Sequence, residues 1–235
     1  SAQGLLEASQ KTRHLTVEGI FTHFANADEP NFSRAQLQLE RFQEVLRFYE
    51  RSSLPTPLRH AANSGAILQL PESHLDMVRP GVLFYGVSPA QELLPLPWPV
   101  KQAMRWSTRV VFFKVVQAGS PVSYGSTWAP QDWTRVITLP VGYGDGYMRA
   151  MSGKAQVLLG GKRAPVVGRI CMDQIMVDIE RGSAWNGDEA VLLGEADGGA
   201  IAVEELARWA GTIPHEILTS INTRVPRTYV GRAGA

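Results

Sequence analysis

The chain has 235 residues, of which 44% are hydrophobic and 19% charged, enough apolar material for a substantial core in one large domain or two modest ones. Lys plus Arg number 23 against 22 Asp plus Glu, so no net field gathers nucleic acid or an anionic membrane surface, and a small-molecule partner is the expectation. The single Cys171 excludes an intramolecular disulfide framework. No apolar run approaches the roughly 20 residues of a membrane helix, and the opening segment lacks a signal-peptide core. The expectation is a soluble, cytoplasmic protein.

In chain order, a polar helical stretch from Leu5 to Lys11 leads into Leu15–Phe21, whose β-branched and aromatic content predicts a buried strand. Its end carries Thr22, His23 and Phe24. Ser33 is then the expected N-cap of an amphipathic helix to about Arg51, because Leu39, Phe42, Val45, Leu46 and Tyr49 recur at spacings of three and four. Pro55 and Pro57 stop it. A short strand over Leu58–Ala61, a helix start at Ala66–Leu70 and a strand from Asp76 to Tyr85, broken at Pro80-Gly81, complete an alternating α/β pattern.

The segment Leu93–Pro99 carries three prolines and reads as a linker, which divides the chain into residues 1–92 and 93–235. After Met104 the style changes to short apolar runs between Gly-, Pro- and Asp-containing turns: Val110–Val116, Val136–Leu139, Gln156–Leu159, Ile175–Ile179 and Ala190–Leu193. That predicts a β-strand-rich domain, with one helix over Val203–Ala210. About three strands in the α/β part are too few to close a barrel of eight. The first 90 residues are therefore expected to pack against further material upstream.

Seven segments carry the chemistry. They are Thr22-His23-Phe24-Ala25, His60-Ala61-Ala62-Asn63-Ser64, Val78-Arg79-Pro80-Gly81-Val82-Leu83-Phe84-Tyr85-Gly86, Val122-Ser123-Tyr124-Gly125-Ser126-Thr127-Trp128, Val141-Gly142-Tyr143-Gly144-Asp145-Gly146-Tyr147, Gly168-Arg169-Ile170-Cys171-Met172-Asp173-Gln174 and Arg224-Val225-Pro226-Arg227. In this order they resemble the alanine racemases, bacterial enzymes that interconvert L- and D-alanine for peptidoglycan precursors. The resemblance implies the carboxy-terminal part of a TIM-like (β/α)8 barrel followed by a mainly β-stranded domain, the cofactor pyridoxal 5'-phosphate, alanine as substrate, and a homodimer. No metal site is implied.

Racemisation needs two bases on opposite faces of a substrate imine and a ring that delocalises the carbanion. By resemblance one base is Tyr124, contributed across the dimer interface. A tyrosine phenol, at a pKa of about 10, is a poor base at neutral pH without help. The family's hydrogen-bond chain implies that His23 helps it, standing between the tyrosine and Arg79. Arg79 would face the cofactor ring nitrogen. Having no acceptor and keeping its charge, an arginine there leaves the nitrogen unprotonated and the ring a weaker electron sink, which favours racemisation over transamination.

Asn63, Ser64 and the amides near Gly81 and Val82 match the family's phosphate site; alone, Asn63-Ser64-Gly65 reads as a helix cap, and a cap and an anion site use the same donors. Met172, through its amide, and Asp173 match the segment that meets the substrate. Asp28, Tyr143, Arg149 and Arg169 match positions lining the entryway. Cys171 beside them reads as a packed small residue rather than a nucleophile, and Gly142–Gly146 lacks the following helix of a nucleotide loop.

Two departures stand out. The family's cofactor lysine lies in a Tyr-Gly-His-Gly context, but Lys11, Lys101, Lys114, Lys154 and Lys162 all stand in unrelated ones. Thr223 precedes Arg224-Val225-Pro226-Arg227 where many members have a phosphate-reaching tyrosine. The expectation is thus a racemase fragment, inactive alone and completed by an amino-terminal segment. The alternatives are a non-catalytic dimerisation or ligand-binding remnant, and a racemase of serine or a broader set of amino acids.

Overall fold

The computed structural model describes residues 2–90 and 96–231, so Leu93, Leu94 and Pro95 of the expected linker lie outside the described residues. The chain divides into two compact units, Ser1–Lys101 and Gln102–Ala235. No helix among the described residues is long and apolar enough to cross a membrane.

In the first unit, helix α1 (Ala2–Gln10) precedes strand β1 (Gly19–Phe21), helix α2 (Ser33–Arg51), strand β2 (Leu58–His60) and helix α3 (Ser64–Gln69). β1 and β2 pair in parallel, Gly19 against Leu58 and Phe21 against His60, with α2 as the crossover. α2 forms where the three-and-four spacing expects it: Ala35, Leu39, Phe42, Leu46 and Tyr49 are its buried face. That face meets Phe24, Ala61, Ala62, Ala66 and Leu70 in one core.

Three local expectations are corrected here. The first strand is limited to Gly19–Phe21 because only these residues find a partner in β2, and Leu15 stays exposed. Ser33 is the first helical residue rather than the cap; Phe32 holds the cap position, and the Asn31 side chain accepts the Ser33 amide instead. Asp76–Tyr85 is not a strand. Its first part runs beside β2, where Met77 makes a parallel bridge to His60 and the Asp76 and Arg79 amides donate to the Arg59 and Ala62 carbonyls. Pro80 has no amide to continue that pattern, and the chain curls into a 3₁₀ turn over Val82–Tyr85, closed by Gly86 in the left-handed region.

Among the described residues the second unit holds eight strands: β3 (Trp106–Arg109), β4 (Phe112–Val116), β5 (Thr134–Leu139), β6 (Gln156–Leu159), β7 (Lys162–Val167), β8 (Ile175–Asp178), β9 (Glu189–Ala196) and β10 (Gly199–Ile201). Its antiparallel sheet runs β10-β9-β6-β7-β8-β5-β4, and β3 also pairs with β9. Ile137, Leu139, Val157, Leu158, Ile175, Val177, Leu192 and Leu193 are buried in it. The all-β expectation after Met104 holds, but the run Val110–Val116 is split: β3 ends at Arg109 and β4 begins at Phe112. β7 escapes the apolar-run criterion because Lys162, Arg163 and Pro165 interrupt it; it forms through a two-residue Gly160-Gly161 hairpin, both glycines at positive φ.

Helix α4 (Val203–Ala210) spans the predicted residues and is stopped by Gly211 at φ 76°. Helix α5 (Pro214–Ser220) was not expected from the sequence.

Candidate functional site

The site residues expected from the sequence fall into two sets, one on each unit. In the first unit they stand at the carboxyl ends of parallel extended segments, where α/β folds gather ligands. His23 follows β1, Asn63 and Ser64 follow β2, and Arg79, Gly81 and Val82 follow the segment beside β2.

Arg79 is the best-held side chain of this set. Its Nη1 lies 2.7 Å from His60 Nδ1, and its Nη2 donates to the Thr22 carbonyl at 2.9 Å and the Ala61 carbonyl at 3.1 Å. The distance to His23 Nδ1 is 3.5 Å, at the outer limit of a hydrogen bond. The guanidinium also lies 5.5 Å from the centre of the Phe21 ring, which stacks on His60. That stack follows from register, because Phe21 and His60 are cross-strand partners.

His60 had no role in the sequence-based expectation, yet it makes the shorter contact to Arg79. A guanidinium has only donors, so Nδ1 accepts and the proton of a neutral His60 sits on Nε2. Burial first, and then the Arg79 charge, hold His60 below the usual histidine range. Burial also lowers Arg79, which remains a cation. The legible signal was position: His60 is the last residue of a strand, opposite an aromatic.

Replacing Arg79 by Leu strands two carbonyls and a ring nitrogen, and a loss of about 1–3 kcal/mol in urea unfolding is expected. Arg79→Lys recovers less than half of it, since an ammonium cannot reproduce the fork.

Asn63 caps α3, its Oδ1 accepting the Ala66 amide at 3.1 Å while Nδ2 donates to the Phe24 carbonyl at 3.3 Å. Ser64 is buried, and its Oγ accepts the amides of Gly81 (2.9 Å) and Leu83 (3.3 Å). Its hydroxyl proton is left to donate. Gly65 permits α3 to press on the next loop: a Cβ there would come 2.7 Å from the Asp28 amide nitrogen. Asp28 is half-buried at that contact.

In the second unit, Tyr124 sits on a turn closed at its base by the Val122 amide donating to the Trp128 carbonyl, and its side chain is 70% exposed. It borders an open groove of ≈ 470 Å³ with Ser123, Cys171, Met172, Asp173, Gln174 and Met176. The 142–147 and 171–174 loops are joined: the amides of Tyr143 and Gly144 donate to the carbonyls of Cys171 (3.0 Å) and Met172 (2.8 Å). Among the described residues nothing accepts the Met172 amide.

Arg224 pairs with Asp173 and stands 3.4 Å from Asp145, and these two carboxylates hold its guanidinium more firmly protonated than usual. Asn222 also donates to the Gly144 carbonyl at 2.6 Å. The Arg224-Val225-Pro226-Arg227 motif thus anchors both loops.

Arg169 lies against Gly125, where a Cβ would meet its Nη1 at 2.9 Å. Tyr143 and Arg149 occupy two short 3₁₀ turns, with Arg149 exposed. Cys171 is half-buried, its sulfur 3.6 Å from the Arg169 carbonyl oxygen, which is the packed small residue expected.

A parallel strand-helix-strand unit with a fixed guanidinium and a hydroxyl at its carboxyl ends, followed by an antiparallel β domain, is the organisation of a two-domain α/β–β chain. Residues 1–89 match the model of the alanine racemase N-terminal domain and residues 103–229 that of the alanine racemase C-terminal domain. The chain belongs to the alanine racemase family. It is 46% identical over 226 residues to an alanine racemase of Carboxydothermus hydrogenoformans, covering 96% of this chain and 61% of that protein.

Among solved structures, it is similar to the alanine racemase of Bacillus anthracis with bound L-Ala-P, with a TM-score of 0.92 and 34% identity over 99% of this chain and 60% of that one. It is also similar to the Bartonella henselae alanine racemase with covalently bound pyridoxal phosphate, with a TM-score of 0.84 and 32% identity over 97% of this chain and 61% of that one. The chain thus spans about 60% of the length of the relatives it matches.

Proposed function

We propose that this chain contributes the larger part of an alanine racemase active site: residues 1–92 as the carboxy-terminal portion of a TIM-like barrel that binds pyridoxal phosphate, and residues 93–235 as the β domain that brings Tyr124 and Met172 to the site of a partner copy. The observation that carries this reading is Arg79, a cation fixed by His60 and the Thr22 and Ala61 carbonyls at the strand ends, with the Ser64–Gly81 junction close by in sequence and fold.

The donor set suits the cofactor. The Ser64 hydroxyl, which accepts the Gly81 amide in the first turn of the helix that Asn63 caps, and the start of the 3₁₀ turn at Val82 would hold phosphate oxygens. Arg79 would meet the ring nitrogen without giving up its proton. When bound, pyridoxal phosphate supplies the ring that makes an amino acid's α-proton removable.

The remaining steps are tasks for residues of this chain. Tyr124 takes or returns that proton on one face, supported by His23. The unpaired Met172 amide binds the substrate carboxylate, with Asp173 beside it. Asp28, Tyr143, Arg149 and Arg169 line the way in.

None of the five lysines stands in the family's cofactor context, so the 235-residue chain mixed with alanine and cofactor is expected to turn over no faster than free cofactor. Co-expressed with the lysine-bearing amino-terminal segment of the Carboxydothermus relative, it should yield a yellow complex that racemises alanine. A colourless, inactive complex would overturn the proposal.

A further inference from the structure

Resting on the role proposed for Tyr124, we infer that Ser123 and the backbone of Arg169 form a clamp that holds the Tyr124 turn in a strained conformation and so aims the phenol. Ser123 is at φ 71° and ψ 175°, a region that side-chain-bearing residues avoid and glycine enters freely. Strain of this kind persists only where the surroundings over-determine it.

Three observations supply that over-determination. The Ser123 hydroxyl donates to the Arg169 carbonyl at 2.6 Å, across 46 residues of chain. Gly168, at φ 67°, leaves room for it: a Cβ there would lie 2.7 Å from Ser123 Cβ and 2.8 Å from the Val122 carbonyl oxygen. On the far side of Tyr124, Gly125 is at φ 72° with the Arg169 guanidinium against it, so Arg169 borders both flanks of the tyrosine and leaves no room for a side chain at Gly125.

The turn is also closed at its base, where the Val122 amide donates to the Trp128 carbonyl at 2.9 Å, and the Ser123 hydroxyl oxygen lies 3.8 Å from the Cys171 sulfur. Ser126 is also at positive φ, 50°, and its amide donates to the Ser123 carbonyl at a long 3.3 Å. In this chain by itself the Tyr124 side chain is mostly in solvent. Until a partner's site receives it, its direction is set by its own backbone, which the Ser123 hydroxyl helps to fix. Ser123 is a positioning residue in this scheme, and it takes no proton from the substrate.

The test uses an inversion of the usual order of substitutions. At an ordinary position glycine is worse than alanine, because it loses more chain entropy. At Ser123, alanine keeps the strain and loses the clamp, whereas glycine loses the clamp and the strain together.

In amide hydrogen exchange of this chain, the segment 122–128 in Ser123→Ala should exchange at least about tenfold faster than wild type, with Ser123→Gly and Ser123→Thr between the two. In the reconstituted enzyme, Ser123→Ala should lower kcat by at least about tenfold with KM for alanine changed less than about threefold, and Ser123→Gly should be faster than Ser123→Ala. Exchange in Ser123→Ala at the wild-type rate, or slower than in Ser123→Gly, would overturn the clamp. If the exchange order holds while Tyr124→Phe racemises at the full rate, the clamp is supported and the role given to Tyr124 falls.

Discussion

Tyr124→Phe, made in an enzyme completed with the lysine-bearing segment of a relative, is expected to slow alanine racemisation by about a hundredfold or more, the lower end of a general acid–base contribution. The substitution removes one oxygen and leaves the ring. Because that ring is 70% exposed, little packing is lost, and stability should stay within about 0.5 kcal/mol of wild type. The drop then belongs to proton transfer and not to unfolding. Rates followed from both L- and D-alanine must fall together, since the overall equilibrium between the two is unchanged. Near-normal rates in both directions, with the cofactor bound, would remove Tyr124 from the mechanism.

Gly142→Ala is expected to be strongly damaging although it lies outside the catalytic groups, costing about 3 kcal/mol by overpacking. The backbone of Gly142 is extended, so its torsions suit any residue. The obstacle is contact: a Cβ there would overlap the carbonyl oxygens of Cys171 and Met172. These are the acceptors for the Tyr143 and Gly144 amides, so relief of the clash must open the junction that carries Met172 and Asp173.

Thermal unfolding should report a loss of about 10 °C, and alanine KM in the completed enzyme should rise with it. Gly153→Ala is the control. It has positive φ but open space around it, and the conformational cost alone should be about 1 kcal/mol. Equal losses at the two positions would show that contact at Gly142 is unimportant.

Much of this protein was legible before its structure. The alternation of helix and strand through α3, the buried face of α2, the change to β structure after Met104 and the span of α4 all follow from local periodicity, because solvent sorts side chains by the repeat of the element they sit on. The ordered motifs, and with them the family, were equally available to reading along the chain.

What the sequence by itself determined was therefore the type of most elements and the identity of the candidate site residues. Tertiary structure decided how those residues are held. His60 became the nearer acceptor for Arg79 because parallel pairing brings two segments 19 residues apart in the chain onto one face. Asp76–Tyr85 failed as a strand where Pro80 could not donate. Ser123 took a backbone conformation its residue type resists because a carbonyl 46 residues away accepts its hydroxyl. The first and last of these outcomes depend on a partner distant in sequence, and a local pattern carries no record of which distant group will arrive to satisfy a hydrogen bond or forbid a Cβ.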